Sequence, residues 1–431
     1  MERTALQELN SWKIKSPRKP LILRGARQVG KTWLMKKFGA DSFENTVYIN
    51  FERQPHLKQL FDQTMNPQEI LTALQTDANT RIHPDKTLII FDEIQECPKA
   101  ITALKYFYEE ADNYPVMAAG SLLGVALHQS VSFPVGKVSF LDLHPMTFEE
   151  FLLATGNDQM CQVLKSLNFG LMSALHEKLT RLLKTYYVTG GMPEAVLHYA
   201  TTERLDEVRE IQITLLQTYE QDFSKHAPAA IVPRIRMVWN SVLGQLAQEK
   251  RKFVYAHIKE GARAKDFEMA LAWLVDCGQV HKIHAVSKPH LPLKAYEDLA
   301  AFKLFLHDVG LLGAIGKLPP RTLLQGNTIF TEFKGALTEQ FVCQELTALS
   351  NLPLYYWSAK KGAAEVDFVV QKEDRIIPIE VKAEENLKAK SLLVYHDRFH
   401  PDLAVRSSLS PHRISDWLHN IPLYALGFYF R

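Results

Sequence analysis

Three stretches of this 431-residue chain predict an α/β multidomain fold. They are a glycine-rich loop between an apolar strand and a helix, an apolar strand ending in two carboxylates, and a C-terminal run ordered helix, three strands, helix, strand. The loop is Gly25-Ala26-Arg27-Gln28-Val29-Gly30-Lys31-Thr32, which fits the phosphate-loop pattern G-x-x-x-x-G-K-[ST] at every fixed position. Its context agrees. Pro20-Leu21-Ile22-Leu23 reads as a short buried strand, and Thr32 to Phe38 has helical apolar spacing that Gly39 is expected to end. Glycines let backbone amides close around phosphates, and the helix N-terminus adds partial positive charge. In this pattern Lys31 reaches the terminal phosphates of ATP or GTP, and the Thr32 hydroxyl is a ligand for Mg²⁺.

The second stretch, Leu88-Ile89-Ile90-Phe91-Asp92-Glu93, reads as a buried parallel strand delivering carboxylates at its C-terminal edge, in the manner of a Walker B strand. Asp92 is then a candidate for the Mg²⁺ shell and Glu93 for the general base that polarises the attacking water. Around these anchors, 46–52 reads as a strand, 67–78 and 98–111 as helices, 115–119 as a strand ending at Gly120-Ser121, and 137–141 as a fifth strand. A polar residue at the end of an added strand between the loop strand and the Walker B strand makes Ser121 a candidate sensor of the γ-phosphate. The glycine spacing at Gly120-Ser121 is wrong for a G-x-S-x-G nucleophile elbow.

The third stretch predicts a helix at 335–349, strands at 353–357, 365–370 and 375–382, a helix at 386–399 and a strand at 403–406. This order is the core of the PD-(D/E)XK, restriction-endonuclease-like fold. Residues two apart on a strand share a face, so Glu380 and Lys382 project together. With Asp367 on the preceding strand and Glu339 on the first helix, they form a candidate site. Asp367 and Glu380 are its expected metal ligands, Lys382 is the group that orients or deprotonates a water for attack on a phosphodiester, and Glu339 resembles the acidic residue that many members of that fold add to the metal site.

Between these ends, 152–223 reads as helical with a break at Gly190-Gly191. Helical periodicity at 235–247 and 264–278, followed by a strand at 279–284, resembles a winged helix. Residues 226–266 carry eight Lys/Arg against three acids, which makes DNA a candidate partner through phosphate contacts. His281 and His284 would face opposite sides of that strand and make a poor metal pair.

Composition sets outer limits. Hydrophobic residues make up 46% and charged residues 23%, an ordinary globular mixture, and a chain this long exceeds one compact core. Cys97, Cys161, Cys277 and Cys343 are widely separated, which suits reduced thiols and argues against structural zinc. Met1 to Lys19 lacks an apolar segment of signal-peptide length, and no run reaches the 18 apolar residues of a membrane span, so a cytoplasmic protein without membrane association is expected. The net charge of +2 excludes nothing about nucleic acid, since a basic footprint can be local.

The loop, the Asp92-Glu93 strand, Gly120-Ser121, Leu143-His144-Pro145-Met146-Thr147-Phe148-Glu149-Glu150-Phe151 and Gly190-Gly191-Met192-Pro193-Glu194-Ala195 occur in an order that resembles a family of prokaryotic AAA-type ATPases with a C-terminal conserved domain of unknown function. The resemblance implies a P-loop ATPase α/β sandwich at 1–150, a helical lid at 151–225, a winged-helix domain at 226–320 and the nuclease-like domain at 321–431. It also implies ATP hydrolysis, with a protein partner or homo-oligomer. One departure is Gly136-Lys137, where the family usually carries Gly-Arg, so an arginine acting on the γ-phosphate from that position is lacking. Two functions follow as expectations: an enzyme in which ATP hydrolysis controls phosphodiester cleavage, and a regulatory switch whose C-terminal domain only docks a partner.

Overall fold

The computed structural model describes residues 2–120, 133–248, 251–325, 331–350, 352–359, 364–384 and 389–431. The chain divides into two compact units, 2–144 with 276–278, and 145–275 with 279–431.

The first unit is built on a five-stranded parallel sheet. Its strands are β1 (Leu21–Arg24), β2 (Asn45–Asn50), β3 (Thr87–Asp92), β4 (Val116–Ala119) and β5 (Ser139–Asp142), in the order β2-β3-β4-β1-β5. The added strand β4 lies between β1 and β3, and β5 pairs on the outer side of β1, with Leu21 opposite Ser139. Every residue of β3 and β4 is buried, as expected of central parallel strands covered on both faces. Phe51, Phe61, Phe91 and Phe107 fill one side of the core, with Phe51 and Phe61 ring centroids 5.5 Å apart. The helix after the loop runs Lys31–Ser42, so Gly39 does not end it. A Cβ at Gly39 would lie 2.5 Å from Thr46 Oγ1, which shows that this glycine serves close packing of helix on strand rather than termination.

The second unit holds a mixed eight-stranded sheet. Its strands are β6 (Val280–Val286), β7 (Glu297–Leu306), β8 (Leu354–Ser358), β9 (Glu365–Lys372), β10 (Arg375–Val381), β11 (Ala404–Ser408), β12 (Arg413–Ser415) and β13 (Leu418–Pro422), in the order β12-β13-β11-β10-β9-β8-β6-β7. All six elements expected at the C-terminus are present, with helices at Thr331–Thr347 and Lys390–Phe399. One feature departs from expectation. The β6-β7 ribbon is not a free wing, because β6 pairs in parallel with β8 through Ala285 and Tyr356 and so extends the C-terminal sheet. The segment 151–225 is helical and lies in the same compact unit as the sheet.

A buried polar network explains that sharing. The Asp308 carboxylate accepts from the amides of Gly191 (2.6 Å) and Leu311 (2.9 Å). Gln344 on helix Thr331–Thr347 accepts from Val309 N and donates to the Tyr186 hydroxyl. Glu345 beside it accepts from Phe148 N at 2.8 Å, at the start of helix Phe148–Ala154, which Thr147 and Glu150 cap reciprocally. Buried polar groups must be paired, so these bonds tie residues 146–191 to the sheet unit. The two sequence motifs at 143–151 and 190–195 therefore act structurally here. A Cβ at Gly191 would lie 2.1 Å from Met146 O, whereas one at Gly244, in helix Val232–Leu246, would meet nothing within 4 Å. Gly191→Ala is expected to destabilise the protein by about 2–4 kcal/mol, and Gly244→Ala to stabilise it by about 0.5–1 kcal/mol. Denaturant unfolding followed by circular dichroism checks both signs.

Candidate functional site

The end of β1 turns into the loop through three left-handed residues, Gly25 (φ 139°), Gln28 (φ 66°) and Gly30 (φ 95°), before the helix begins at Lys31. This curls the backbone amides into an anion-binding concavity. Only glycine suits position 25, where a Cβ would lie 2.1 Å from Leu143 O. The buried Arg3 braces the loop from outside, donating to Val29 O at 2.8 Å and His144 O at 2.6 Å.

Lys31 is buried, and its Nζ donates to the carbonyls of Gly25 (2.9 Å) and Ala26 (2.7 Å). Burial pulls its pKa down to about 8 against the opposing pull of the Glu93 and Asp92 carboxylates. Asp92 closes β3 and is also buried. Its Oδ2 accepts from the hydroxyls of Thr32 and Tyr48, both at 2.7 Å, and its Oδ1 accepts from Glu93 N at 3.1 Å. Thr32 Oγ1 and Asp92 Oδ2 thus form an adjacent pair of hard oxygens beside the loop, a donor set that fits Mg²⁺.

Glu93 occupies left-handed backbone (φ 49°), unusual for a carboxylic residue and of a kind that clusters at functional sites. Gln95 Nε2 donates to its Oε2 at 2.7 Å, and Gly120 packs against Gln95, where a Cβ would lie 2.2 Å from Oε1. Sequence reasoning missed Gln95 and Arg3, because neither belongs to a motif and both contacts depend on the fold. Ser121 lies outside the described residues. Lys137 is paired with Glu109 at 3.0 Å and sits over the Tyr108 ring.

The second constellation lies in the sheet unit. Glu365 and Asp367 share a face of β9, Glu380 lies one residue before the end of β10, and Glu339 projects from helix Thr331–Thr347. Asp367 Oδ2 accepts from Val381 N at 2.8 Å, which places it beside the Glu380-Lys382 turn of backbone. Lys382 Nζ is 2.6 Å from Glu380 Oε1. Burial pushes the Glu380 pKa up, with Lys382 acting in the opposite direction. The four residues named from the sequence are thus brought to one cluster.

Two unforeseen cations share it. Lys303 of β7 has no exposed side-chain surface, and its Nζ lies 2.6 Å from Glu365, 3.7 Å from Glu339 and 3.8 Å from Asp367. Arg251 Nη1 pairs with Glu339. Lys303 thus stands beside Glu339 and Asp367, and Arg251 beside Glu339, where the sequence expects metal ligands. Among the described residues no group of three or more His, Cys, Asp or Glu side chains that could hold a metal ion is found. Arg251 is also one of the basic residues counted toward a DNA footprint, and here it points into the protein.

Comparison with known families matches residues 17–152 to an AAA domain, 180–322 to a domain of unknown function (DUF8612) and 334–426 to another (DUF4143). A comparison with curated proteins returned no match. Similar solved structures include a Walker-type ATPase of Pyrococcus abyssi (13% identity, 72% of this chain and 94% of that one, TM-score 0.46). The Aeropyrum pernix ORC1 protein in complex with DNA (13%, 74% and 94%, 0.28) and a point mutant of Thermotoga maritima RuvB (15%, 68% and 91%, 0.28) are others. At these identities and TM-scores the likenesses carry no functional argument. The first unit thus carries an AAA-type domain on a P-loop-like parallel sheet, and no helix among the described residues is long and apolar enough to cross a membrane.

The depressed Lys31 pKa has a measurable consequence. A polyphosphate in the loop restores the ammonium, so binding of ATP at pH 8 should take up about half a proton, falling to none near pH 6.5, where the free amine is already protonated. Titration calorimetry in buffers of different ionisation enthalpy measures the uptake.

Proposed function

We propose that the chain binds and hydrolyses ATP with Mg²⁺ in its AAA-type domain, and that nucleotide state controls what the second unit docks. The observation that carries the ATPase reading is the Thr32–Asp92 hydrogen bond of 2.7 Å at the mouth of the loop, with Lys31 and Glu93 beside it. The amides of residues 25–32 and the Lys31 ammonium bind and orient the phosphates. Thr32 and Asp92 are the residues that would hold Mg²⁺, which supplies charge on the phosphate oxygens when bound. Gln95 and the left-handed backbone at 93 aim the Glu93 carboxylate, which takes a proton from the attacking water. Lys137 offers a point charge already engaged by Glu109, so full turnover requires an arginine from a second copy or from a protein partner.

For the second unit two readings share the residues. In one, Asp367, Glu380, Lys382 and Glu339 cleave a phosphodiester with Mg²⁺. In the other, the nuclease-like sheet docks a partner, with DNA a candidate through the basic segment 226–266, and does not cleave. The second is favoured by Lys303, whose buried ammonium compensates the carboxylates that a metal would need.

Lys31→Ala should abolish nucleotide binding. Glu93→Gln should keep binding but slow hydrolysis by a factor on the order of 10²–10⁴, the usual worth of a positioned base. Phosphate release and nucleotide binding measured on both variants decide the roles, and hydrolysis by Glu93→Gln at the wild-type rate would remove the base assignment.

A further inference from the structure

The carboxylate cluster of the sheet unit has a composition that the nuclease-like order of elements does not explain. Four carboxylates (Glu339, Glu365, Asp367 and Glu380) face three cations (Lys303, Arg251 and Lys382). Lys303 is the central one. It comes from β7, the strand farthest from β10 on its side of the sheet, and from the segment that precedes the six C-terminal elements. Its side chain runs inward with 0% exposure, between the Tyr356 ring at 5.0 Å and the three acids.

We propose that Lys303 is the resident cation of this cluster, so that a divalent metal binds there only when the ammonium is removed. The argument is electrostatic and steric. Buried carboxylates need a counter-charge, and one fixed covalently in the sheet is present at every metal concentration. Mg²⁺ needs oxygen ligands near 2.0–2.1 Å in an octahedral shell. An ammonium 2.6 Å from Glu365 and within 3.8 Å of Glu339 and Asp367 holds these oxygens around itself and repels an incoming dication. Arg251 adds a second positive charge at Glu339, on the side where the helix would contribute its ligand. Removal of Lys303 leaves four carboxylates against two cations, a net deficit of two positive charges that a dication matches. The inference deepens the non-cleaving reading of the second unit and is independent of the ATP site.

The test is Mn²⁺ binding to the nucleotide-free full chain, read by electron paramagnetic resonance, in an Asp92→Asn background that removes the ATP-site carboxylate. The parent should show no binding that depends on Asp367. Lys303→Ala should gain one Mn²⁺ with affinity at least about tenfold tighter than the parent. That gain should vanish when Asp367→Asn is added, and Mn²⁺ should raise the melting temperature of Lys303→Ala but not of the parent. Lys303→Gln, which keeps polarity and most of the length without the charge, serves where the alanine variant folds poorly. Binding by the parent that Asp367→Asn abolishes would overturn the proposal. So would folded Lys303 variants that bind no Mn²⁺, or failure of both variants to fold at any Mn²⁺ concentration, since the metal would then not replace the lost charge.

Discussion

A lysine side chain with no contact to water must find its counter-charges inside the protein, because desolvating an unpaired ammonium costs more than a domain can offset. Lys303 meets this requirement with Glu365, Glu339 and Asp367, which belong to β9 and to helix Thr331–Thr347. The ribbon that supplies Lys303 is thereby committed to the C-terminal sheet, which makes eight strands from what the element pattern alone divides into two domains. Removing one partner leaves a buried charge that needs a new counter-ion, so the ribbon, the sheet and the helix are linked through this one lysine.

The ATP site uses buried charge differently. Asp92 is also desolvated, but its partners are hydroxyls and an amide, from Thr32, Tyr48 and Glu93, which can be exchanged for metal and phosphate ligands without stranding a cation. Lys31 donates its hydrogen bonds to two carbonyls, and burial lowers its pKa against the pull of Glu93 and Asp92. One site is therefore built to receive charge from a ligand and the other to satisfy its own.

Much of the fold was legible because its signals are local. The glycines of 25–30 carry the turn, the apolar run 88–91 carries the central strand, and the six elements from 335 to 406 follow strand and helix periodicity. What escaped depends on distant partners. Lys303 interrupts the apolar run Ala300 to Leu306 and reads as a break in a strand; only the carboxylates on other elements turn it into a core residue. Asp308, Gln344 and Glu345 give no motif, yet they join residues 146–191 to the sheet unit. Gln95 and Arg3 brace Glu93 and the loop through contacts that only the folded chain creates.

A single diffraction measurement examines metal binding in both units. Crystals of the full chain grown with a non-hydrolysable ATP analogue and Mn²⁺ should show an anomalous peak at Thr32 and Asp92, and none among Glu339, Glu365, Asp367 and Glu380, where Lys303 Nζ should remain. A peak inside the carboxylate cluster with Lys303 displaced, or no peak beside Asp92 with the analogue bound in the loop, would contradict this placement of metal.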